Sequence, residues 1–499
     1  MKFIKERLEY LFTSTKGLVL VAISLISLVT AIWGTLSGPM VEWGVRDLTV
    51  RLLGMKLDPF FREGRIIMLY HTIAMAVIAI EVYLMTSIIP MKRRYKLAIN
   101  ATVTVGYLSS LIFGLGFAYF GRNWILHGLF LFGLSLMFFT GLLLAVALWP
   151  WNKEYYVRSP EYAHTKSGVD LERVAFFTMV VATLGSSLFG AVAGAYFGNG
   201  FETFLAENTV RFAHKTPLQL GIIGHLHIML TLIAVAITLI VGRWLDFKGI
   251  YHKIAMPLMI FGTIVITIGV WMVVPFELIA HMIIYVGSTF IMLAALMLVI
   301  YGWRKLIKDR LNELGIEKAG FWKGLKALLH DPLKFGALWQ MVFMNFTVSG
   351  VGIFMAIKLD EIFRIWPWRE ERVTLTGHWH VLAALIATII LMYYADMVGL
   401  KGKIRQWFGW ILLIGSDVAF AGATIYSLKR LFVKAYYQEP VVSKIFLAMD
   451  IGLAAVLVIL ALLLLWRLFD LFKGEGVWKR EKENPEVEVP RTSKEVLSE

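Results

Sequence analysis

The chain has 499 residues, 58% of them hydrophobic, and a formal net charge of +14. A mean hydropathy of +0.71 excludes an ordinary soluble domain, because such a domain needs far more polar surface. The absence of cysteine excludes disulfides, thiolate metal sites, iron–sulfur clusters and haem attached through cysteine.

Apolar runs of about 20 residues recur along the chain, and each can cross a hydrocarbon layer about 30 Å thick. We therefore predict an all-α polytopic membrane protein with twelve transmembrane helices. The predicted spans lie at about 17–39, 64–90, 97–120, 125–149, 173–198, 217–243, 254–275, 278–303, 336–357, 374–396, 406–428 and 442–470. The first run is long enough to be a true span, so we expect no cleavable signal peptide.

The basic residues are distributed as a membrane topology requires. With the N-terminus placed inside, 33 of the 49 Lys and Arg residues fall on the inner side and 16 on the outer side. This excess follows the positive-inside rule, so we expect both termini to be cytoplasmic and the chain to lie in the plasma membrane. The positive charge then serves topology and attraction to anionic lipid, and we expect no nucleic-acid partner.

The second, sixth and tenth spans carry related histidine motifs. His225 and His378 are 153 residues apart, as are His227 and His380, and a Lys-Gly turn follows each pair at the same offset. The first third of the chain fits more loosely, with His71 lying 154 residues before His225. A fixed period of this kind predicts an internal repeat.

The repeat divides a single membrane domain, residues 1–472, into three pseudo-repeated four-helix units at about 17–150, 172–304 and 335–470. The segment 304–335 is basic and amphipathic, which predicts a helix on the cytoplasmic membrane face. Residues 473–499 form a charged tail that we expect to be disordered.

The five histidines of these motifs lie at one predicted membrane depth, near the outer starts of their spans. An ionisable residue inside a span is costly and is therefore a functional candidate. Residues two apart on a helix point roughly 200° apart, so each His-x-His pair can address two different partners. The alternative is that each histidine only hydrogen-bonds to a neighbouring helix.

The span pattern and two local motifs indicate a family. "YHTIAMAVIAIEVYLM", from Tyr70, and "TGHWHVLAALIATIILMYYADM", from Thr376, are similar to the second and tenth spans of nitric oxide reductases and C-type oxidases. Over roughly residues 17–470 the chain resembles the catalytic subunit of the haem–copper oxidase superfamily, to which cytochrome c and quinol oxidase subunit I also belong.

The resemblance implies a set of cofactor ligands. His71 and His380 would hold a six-coordinate, low-spin haem b, and His378 would be the proximal and catalytic ligand of a second, high-spin haem. Lys429 and Arg430 resemble the basic pair that binds haem propionates. The electron donor would be a quinol or a small cytochrome or cupredoxin at the outer face, and accessory subunits would be possible partners beside the lipid bilayer.

The chain departs from this family where a second metal would bind. The seventh span ends "IGVWMVVP" without histidine, and His252 begins that span at the opposite membrane face. This argues against copper. A rearranged non-haem metal site could still be formed by His225, His227, His281 and Glu277.

Three functions therefore remain open. The first is a haem-binding membrane oxidoreductase of respiratory type that reduces nitric oxide or oxygen. The second is a non-catalytic di-haem electron-transfer cytochrome b, in which a sixth-span histidine closes the second haem. The third is a proton-coupled secondary transporter, although transporters of twelve spans commonly show two halves rather than three units.

Four acidic residues in the spans are candidates for proton relays. They are Glu81, Asp396, Asp417 and Asp450. Protonated carboxyl groups that hydrogen-bond to a neighbouring helix are the simpler explanation, and we favour it because the spacing defines no path.

Overall fold

The computed structural model describes residues 2–36, 41, 43–159, 161–162, 165–197, 200–201, 214–434 and 438–483. The described residues form helices and no strands, which confirms an all-α membrane protein. The helices are α1 (Lys2–Thr13), α2 (Thr15–Gly34), α3 (Val45–Leu53), α4 (Arg62–Ile88), α5 (Arg93–Tyr119), α6 (Trp124–Ala147), α7 (Leu171–Phe197), α8 (Pro217–Trp244), α9 (Gly249–Glu313), α10 (Phe321–Leu328), α11 (Pro332–Ile357), α12 (Trp368–Met397), α13 (Gly402–Leu428), α14 (Gln438–Phe472) and α15 (Val477–Glu483).

Within the described ranges, eleven helices are long and apolar enough to cross a membrane, namely α2, α4 to α9 and α11 to α14. Helix α9 has 65 residues and would be about 98 Å long if it were straight, far more than a bilayer needs. It breaks at Phe276, whose backbone is non-helical (φ −144°, ψ 61°), immediately after Pro275. Its two halves pack against each other, since Gly269 faces Ile284.

Paired glycines bring neighbouring helices into close contact at three places. The pairs are Gly106 and Gly133 between α5 and α6, Gly262 and Gly287 within α9, and Gly415 and Gly452 between α13 and α14. A Cβ added to the second glycine of any pair would lie 2.5 Å from a backbone atom of the facing helix. Such close approach is how helices associate in lipid, where the hydrophobic effect between them is absent.

Helix α11 is interrupted by a π-helical segment at Phe343–Val348, and a second π-helical segment follows the helix at Leu359–Phe363. Single π turns are rare and are often found near functional sites. The helix begins at Pro332, where the Asp331 side chain accepts hydrogen bonds from the backbone N–H groups of Leu333 and Lys334.

One end of the bundle is fixed by polar contacts, and we call it the termini end. Trp244, at the end of α8, donates a 2.5 Å hydrogen bond to Asp396, near the end of α12. Arg405, near the start of α13, pairs with Asp396 and with Asp331, the N-cap of α11. Thus α8 and α12 end where α11 and α13 begin.

The first and last described helices are joined at the termini end. Arg467 of α14 is 1% exposed, pairs with Glu481 of α15 at 2.9 Å and donates to the hydroxyl of Tyr10 of α1. Asp470 accepts hydrogen bonds from the first N–H groups of α15, and Trp478 is 2% exposed. The start of the predicted disordered tail is therefore a packed helix, because its charges are paired. Residues 484–499 lie outside the described residues.

The amphipathic segment predicted at 304–335 is divided among three helices. Its first part continues α9 to Glu313, α10 covers Phe321–Leu328, and α11 begins at Pro332. Phe321 and Trp322 are largely exposed beside the lysines of α10, as a helix in a membrane interface requires.

Candidate functional site

Five histidines line the starts of three helices at the end of the bundle opposite the termini. We call them the histidine belt: His71 on α4, His225 and His227 on α8, and His378 and His380 on α12. Helix α8 packs against both α4 and α12, so the three helices adjoin. All five histidines lie within the first four turns of their helices.

The start of α8 is fixed by a capping box and a proline. The Thr216 side chain accepts a hydrogen bond from the Gln219 backbone, the Gln219 side chain accepts one from the Thr216 backbone, and Pro217 occupies the first turn. These are strong signals for a helix start. Because they fix the residue at which α8 begins, they also fix the positions of His225 and His227 within the helix.

Backbone carbonyls fix the protonation pattern of four belt histidines. In each of them Nδ1 lies 2.7–2.9 Å from a carbonyl oxygen, which belongs to Ile67 for His71, Ser186 for His225, Ile223 for His227 and Thr376 for His380. A carbonyl only accepts hydrogen bonds, so Nδ1 must carry the proton. The other nitrogen, Nε2, then keeps its lone pair, which is the usual arrangement for a histidine that ligates iron or another metal.

Between α4 and α8, His71 faces His225. The centroids of the two rings are 6.5 Å apart and the ring planes differ by 14°. Gly190 of α7 leaves room for the His225 ring, because a Cβ at this glycine would lie 2.2–2.6 Å from three ring atoms.

Between α8 and α12, His227 packs edge-on against Trp379, with ring centroids 4.9 Å apart. His378 points elsewhere and lies against Gly352 of α11, where an added Cβ would be 3.2 Å from its ring. Its Nδ1 is buried without a hydrogen bond of good geometry. The backbone of Leu375 is the polar group near it. The adjoining cavity, between α11, α12 and α13, measures about 10 Å³, roughly the minimum for one water molecule.

Between α12 and α4, His380 meets Tyr70. Its Nε2 lies 3.1 Å from the tyrosine hydroxyl, and because Nδ1 carries the proton, the hydroxyl is the donor. His380 is exposed, as are Ala383 and Ala387 on the same face of α12. This exposed face of α12 carries small side chains next to His380.

As predicted, the two histidines of each His-x-His pair point toward different neighbouring helices. His225 contacts α7 and α4 while His227 contacts α12, and His378 contacts α11 while His380 contacts α4. The pairing differs from the one that the resemblance implies, however. His71 lies next to His225, and the nearest partner of His380 is Tyr70.

The four side chains suggested for a non-haem metal are not gathered into one ligand group. Nowhere in the described part of the chain do three or more histidine and carboxylate side chains converge as a metal site would require. Glu277 instead forms an ion pair with Lys215 at 3.8 Å. Burial lowers the pKa of Lys215, and the Glu277 carboxylate opposes that shift.

The basic pair after α13 has protein partners. Arg430 forms an ion pair with Glu370 at the start of α12. The Lys429 ammonium lies over the ring of Tyr426, 4.3 Å from its centroid. The Arg430 contact ties the end of α13 to the start of α12, whereas the Lys429 contact stays within the end of α13.

The acidic residues have different environments. Asp417 accepts hydrogen bonds from Trp339 and Gln340, at 2.9 and 2.8 Å, as a carboxyl group that links helices does. Asp396 belongs to the polar contacts of the termini end, and Asp450 is exposed. Glu81 is 3% exposed, and its Oε1 is buried without a partner, so the helix-linking explanation does not apply to it.

Sequence reasoning missed Tyr70, Gly190 and Gly352 as site residues. Tyr70 directly precedes His71 in the motif, which could have drawn attention to it. Each glycine lies on the long helix before a His-x-His helix, but with 42 glycines in the chain the sequence does not mark these two.

Comparison with known proteins gave no matching family model, no matching curated protein and no matching solved structure. The proposals below therefore depend on the residues and their geometry.

Proposed function

We propose that this chain is a haem-binding membrane oxidoreductase of respiratory type. One observation carries the proposal: four belt histidines on three adjoining helices donate Nδ1–H to backbone carbonyls, which leaves Nε2 as the unprotonated nitrogen of each ring. In His380 this nitrogen accepts a hydrogen bond from Tyr70, which a ligand would have to replace. Neutral imidazole is a common axial ligand of haem iron.

The donor set fits haem, and cysteine ligation is excluded because the chain contains no cysteine. When bound, haem would supply a one-electron redox centre. The protein's part would be to hold the imidazoles by their carbonyl hydrogen bonds and to surround them with apolar helices that exclude water. Ala383 and Ala387 are small and exposed on the same face of α12 as His380.

We propose that the chain crosses the plasma membrane twelve times in three four-helix units, with both termini cytoplasmic. The break at Phe276 supports the count, since it turns α9 into two antiparallel segments. The three glycine crossings support the units, because each joins the third and fourth segments of a unit. Gly249 and Gly402 also have the same left-handed backbone, φ +73° and +58°, in the two Lys-Gly turns.

In this proposal a quinol or a small cytochrome or cupredoxin would deliver electrons at the histidine end. A second haem at His378, with reduction of nitric oxide or oxygen, would require α11 to move away from α12, because the cavity of about 10 Å³ is far too small for haem. The closed surroundings of His378 favour a second candidate function, an electron-transfer cytochrome b without a gas-binding site.

An absorption spectrum of the purified, dithionite-reduced protein tests the proposal and separates the two candidates. Haem binding predicts a sharp α-band, and absence of any haem band would refute the proposal. A spectral shift with carbon monoxide would indicate an open coordination position, which reduction of nitric oxide or oxygen requires. An unchanged spectrum would indicate the electron-transfer cytochrome. His127→Ala, outside the belt, is the control and should keep the wild-type spectrum.

A further inference from the structure

We propose that the surface formed by α10 and the start of α13, at the termini end, binds the headgroups of anionic phospholipids. We call it the lysine–tryptophan surface, and its members are Phe321, Trp322, Lys323 and Lys326 on α10 and Lys401, Lys403, Ile404 and Trp407 at the start of α13. The proposal concerns the end of the bundle opposite the histidine belt and does not depend on haem binding.

Polar contacts hold the two segments of this surface next to each other. In the short connection between α10 and α11, the backbone carbonyl of His330 accepts a hydrogen bond from the side chain of Gln406. The next residue, Asp331, forms an ion pair with Arg405 at 2.7 Å. The end of α10 therefore lies beside the first turn of α13, and the two segments form one surface.

Four large apolar side chains of the surface are exposed. Phe321 and Trp322 are 76% and 73% exposed on α10, and Ile404 and Trp407 are 69% and 68% exposed on α13. Exposure of such side chains to water is unfavourable, and tryptophan is enriched where membrane proteins meet the headgroup layer. The surface is therefore suited to the headgroup layer of a bilayer.

Lysines lie beside these apolar side chains. Trp322 and Lys326 are four residues apart on α10, as are Lys403 and Trp407 on α13, so each pair shares one helix face. All four lysines of the surface are exposed, and in the described ranges none of them lies within ion-pair distance of a carboxylate. Arg405, by contrast, is paired with two aspartates. The charge of the lysines is thus available to a partner.

Charge and apolar exposure together indicate the chemistry of that partner. A phospholipid presents phosphate oxygens in the headgroup layer, and lysine binds phosphate as a point charge. Four lysines without a nearby carboxylate favour a headgroup with net negative charge, such as phosphatidylglycerol, over zwitterionic phosphatidylcholine. An acidic protein would match the charge but not the four exposed apolar side chains.

Lipid retention by the immobilised, full-length protein in detergent tests the proposal. The protein is titrated with phosphatidylglycerol or phosphatidylcholine, and bound lipid is quantified by mass spectrometry. We expect tighter binding of phosphatidylglycerol. Replacement of the four lysines by glutamine should weaken that binding at least about tenfold, because each lysine near an anionic surface strengthens binding about fivefold. Binding of phosphatidylcholine should not change, and replacement of the four lysines by arginine should preserve binding of phosphatidylglycerol.

The matched control is the double variant Lys153→Gln and Lys166→Gln, which removes two exposed lysines between α6 and α7 at the same end of the bundle. It should bind phosphatidylglycerol as the wild type does. Equal affinity of the wild type for the two lipids would overturn the proposal, and so would wild-type affinity for phosphatidylglycerol in the glutamine variant.

Salt gives a second test that needs no variant. The Debye length falls from about 10 Å at 0.1 M salt to about 3 Å at 1 M, so the preference of the wild type for phosphatidylglycerol should decrease strongly at 1 M. A preference that is unchanged at 1 M salt would show that the lysine charges do not select the lipid, and it would contradict the proposal.

Discussion

At the scale of single residues, hydrogen bonding separates functional candidates from structural ones. Each of four belt histidines is fixed by one backbone carbonyl, which leaves the second nitrogen unprotonated. Asp417, by contrast, is satisfied by two side-chain donors. Glu81 has neither a ligand geometry nor a partner for its buried oxygen.

We therefore expect substitution by leucine to have opposite effects on stability at Glu81 and at Asp417. Glu81→Leu should stabilise the protein by about 1–3 kcal/mol, because it removes a buried polar group that lacks a hydrogen bond. Asp417→Leu should destabilise it by a similar amount, because Trp339 and Gln340 lose their acceptor. Thermal unfolding in detergent measures both. A lower midpoint for Glu81→Leu than for the wild type would show that Glu81 has an interaction absent from this structure.

At the scale of helices, close glycine contacts recur in the same place. The three crossings use six glycines, and the second member of each pair has a backbone atom of the facing helix 2.5 Å from its would-be Cβ. Backbone atoms cannot move aside as a flexible side chain can. The contacts therefore determine how closely α5 and α6, the halves of α9, and α13 and α14 pack.

Substitution of these glycines tests the crossings. Gly133→Ala, Gly287→Ala and Gly452→Ala should each destabilise the fold by about 1–3 kcal/mol through overpacking. Gly128→Ala on α6 is the control, because its Cβ would meet nothing within 4 Å. It should leave the midpoint of thermal unfolding unchanged or raise it slightly, since alanine favours a helix over glycine by about 0.5–1 kcal/mol. Three variants that unfold at the wild-type temperature would show that the helices are further apart than described.

At the scale of the whole molecule, polar contacts gather at the two ends. The termini end holds the Arg467 and Arg405 ion-pair groups, and the other end holds the histidine belt. By the predicted spans, 33 of the 49 Lys and Arg residues fall on the side of the termini, so we expect the termini end to lie inside the cell.

The absence of native cysteine makes this orientation directly measurable. Gly121→Cys, between α5 and α6, should react with a membrane-impermeant maleimide in intact cells. Gly320→Cys, before α10, should react only after the cells are opened. Neither position has an atom within 4 Å of its would-be Cβ, so both variants should fold. The reverse labelling pattern would contradict the orientation.

Much of the fold could be predicted from hydropathy, and less of the site. The predicted spans 254–275 and 278–303 correspond to the two halves of α9, and the other spans to single helices. The packing of α15 could not be predicted, because the charges of its segment resemble those of a solvated tail until Arg467 is seen beside them. The partner of His71 could not be predicted either, since sequence spacing does not say which helices adjoin.

The most direct test of haem binding is the haem content of the purified protein, measured as the pyridine haemochrome. We predict at least one haem b per chain for the wild type and for His127→Ala. Replacement of His71, His225, His227 and His380 together by alanine should remove it, because these are the four histidines whose Nδ1–H bonds to a carbonyl and whose Nε2 is unprotonated. A wild-type protein without haem, or a fourfold variant that retains the wild-type content, would contradict the proposed function.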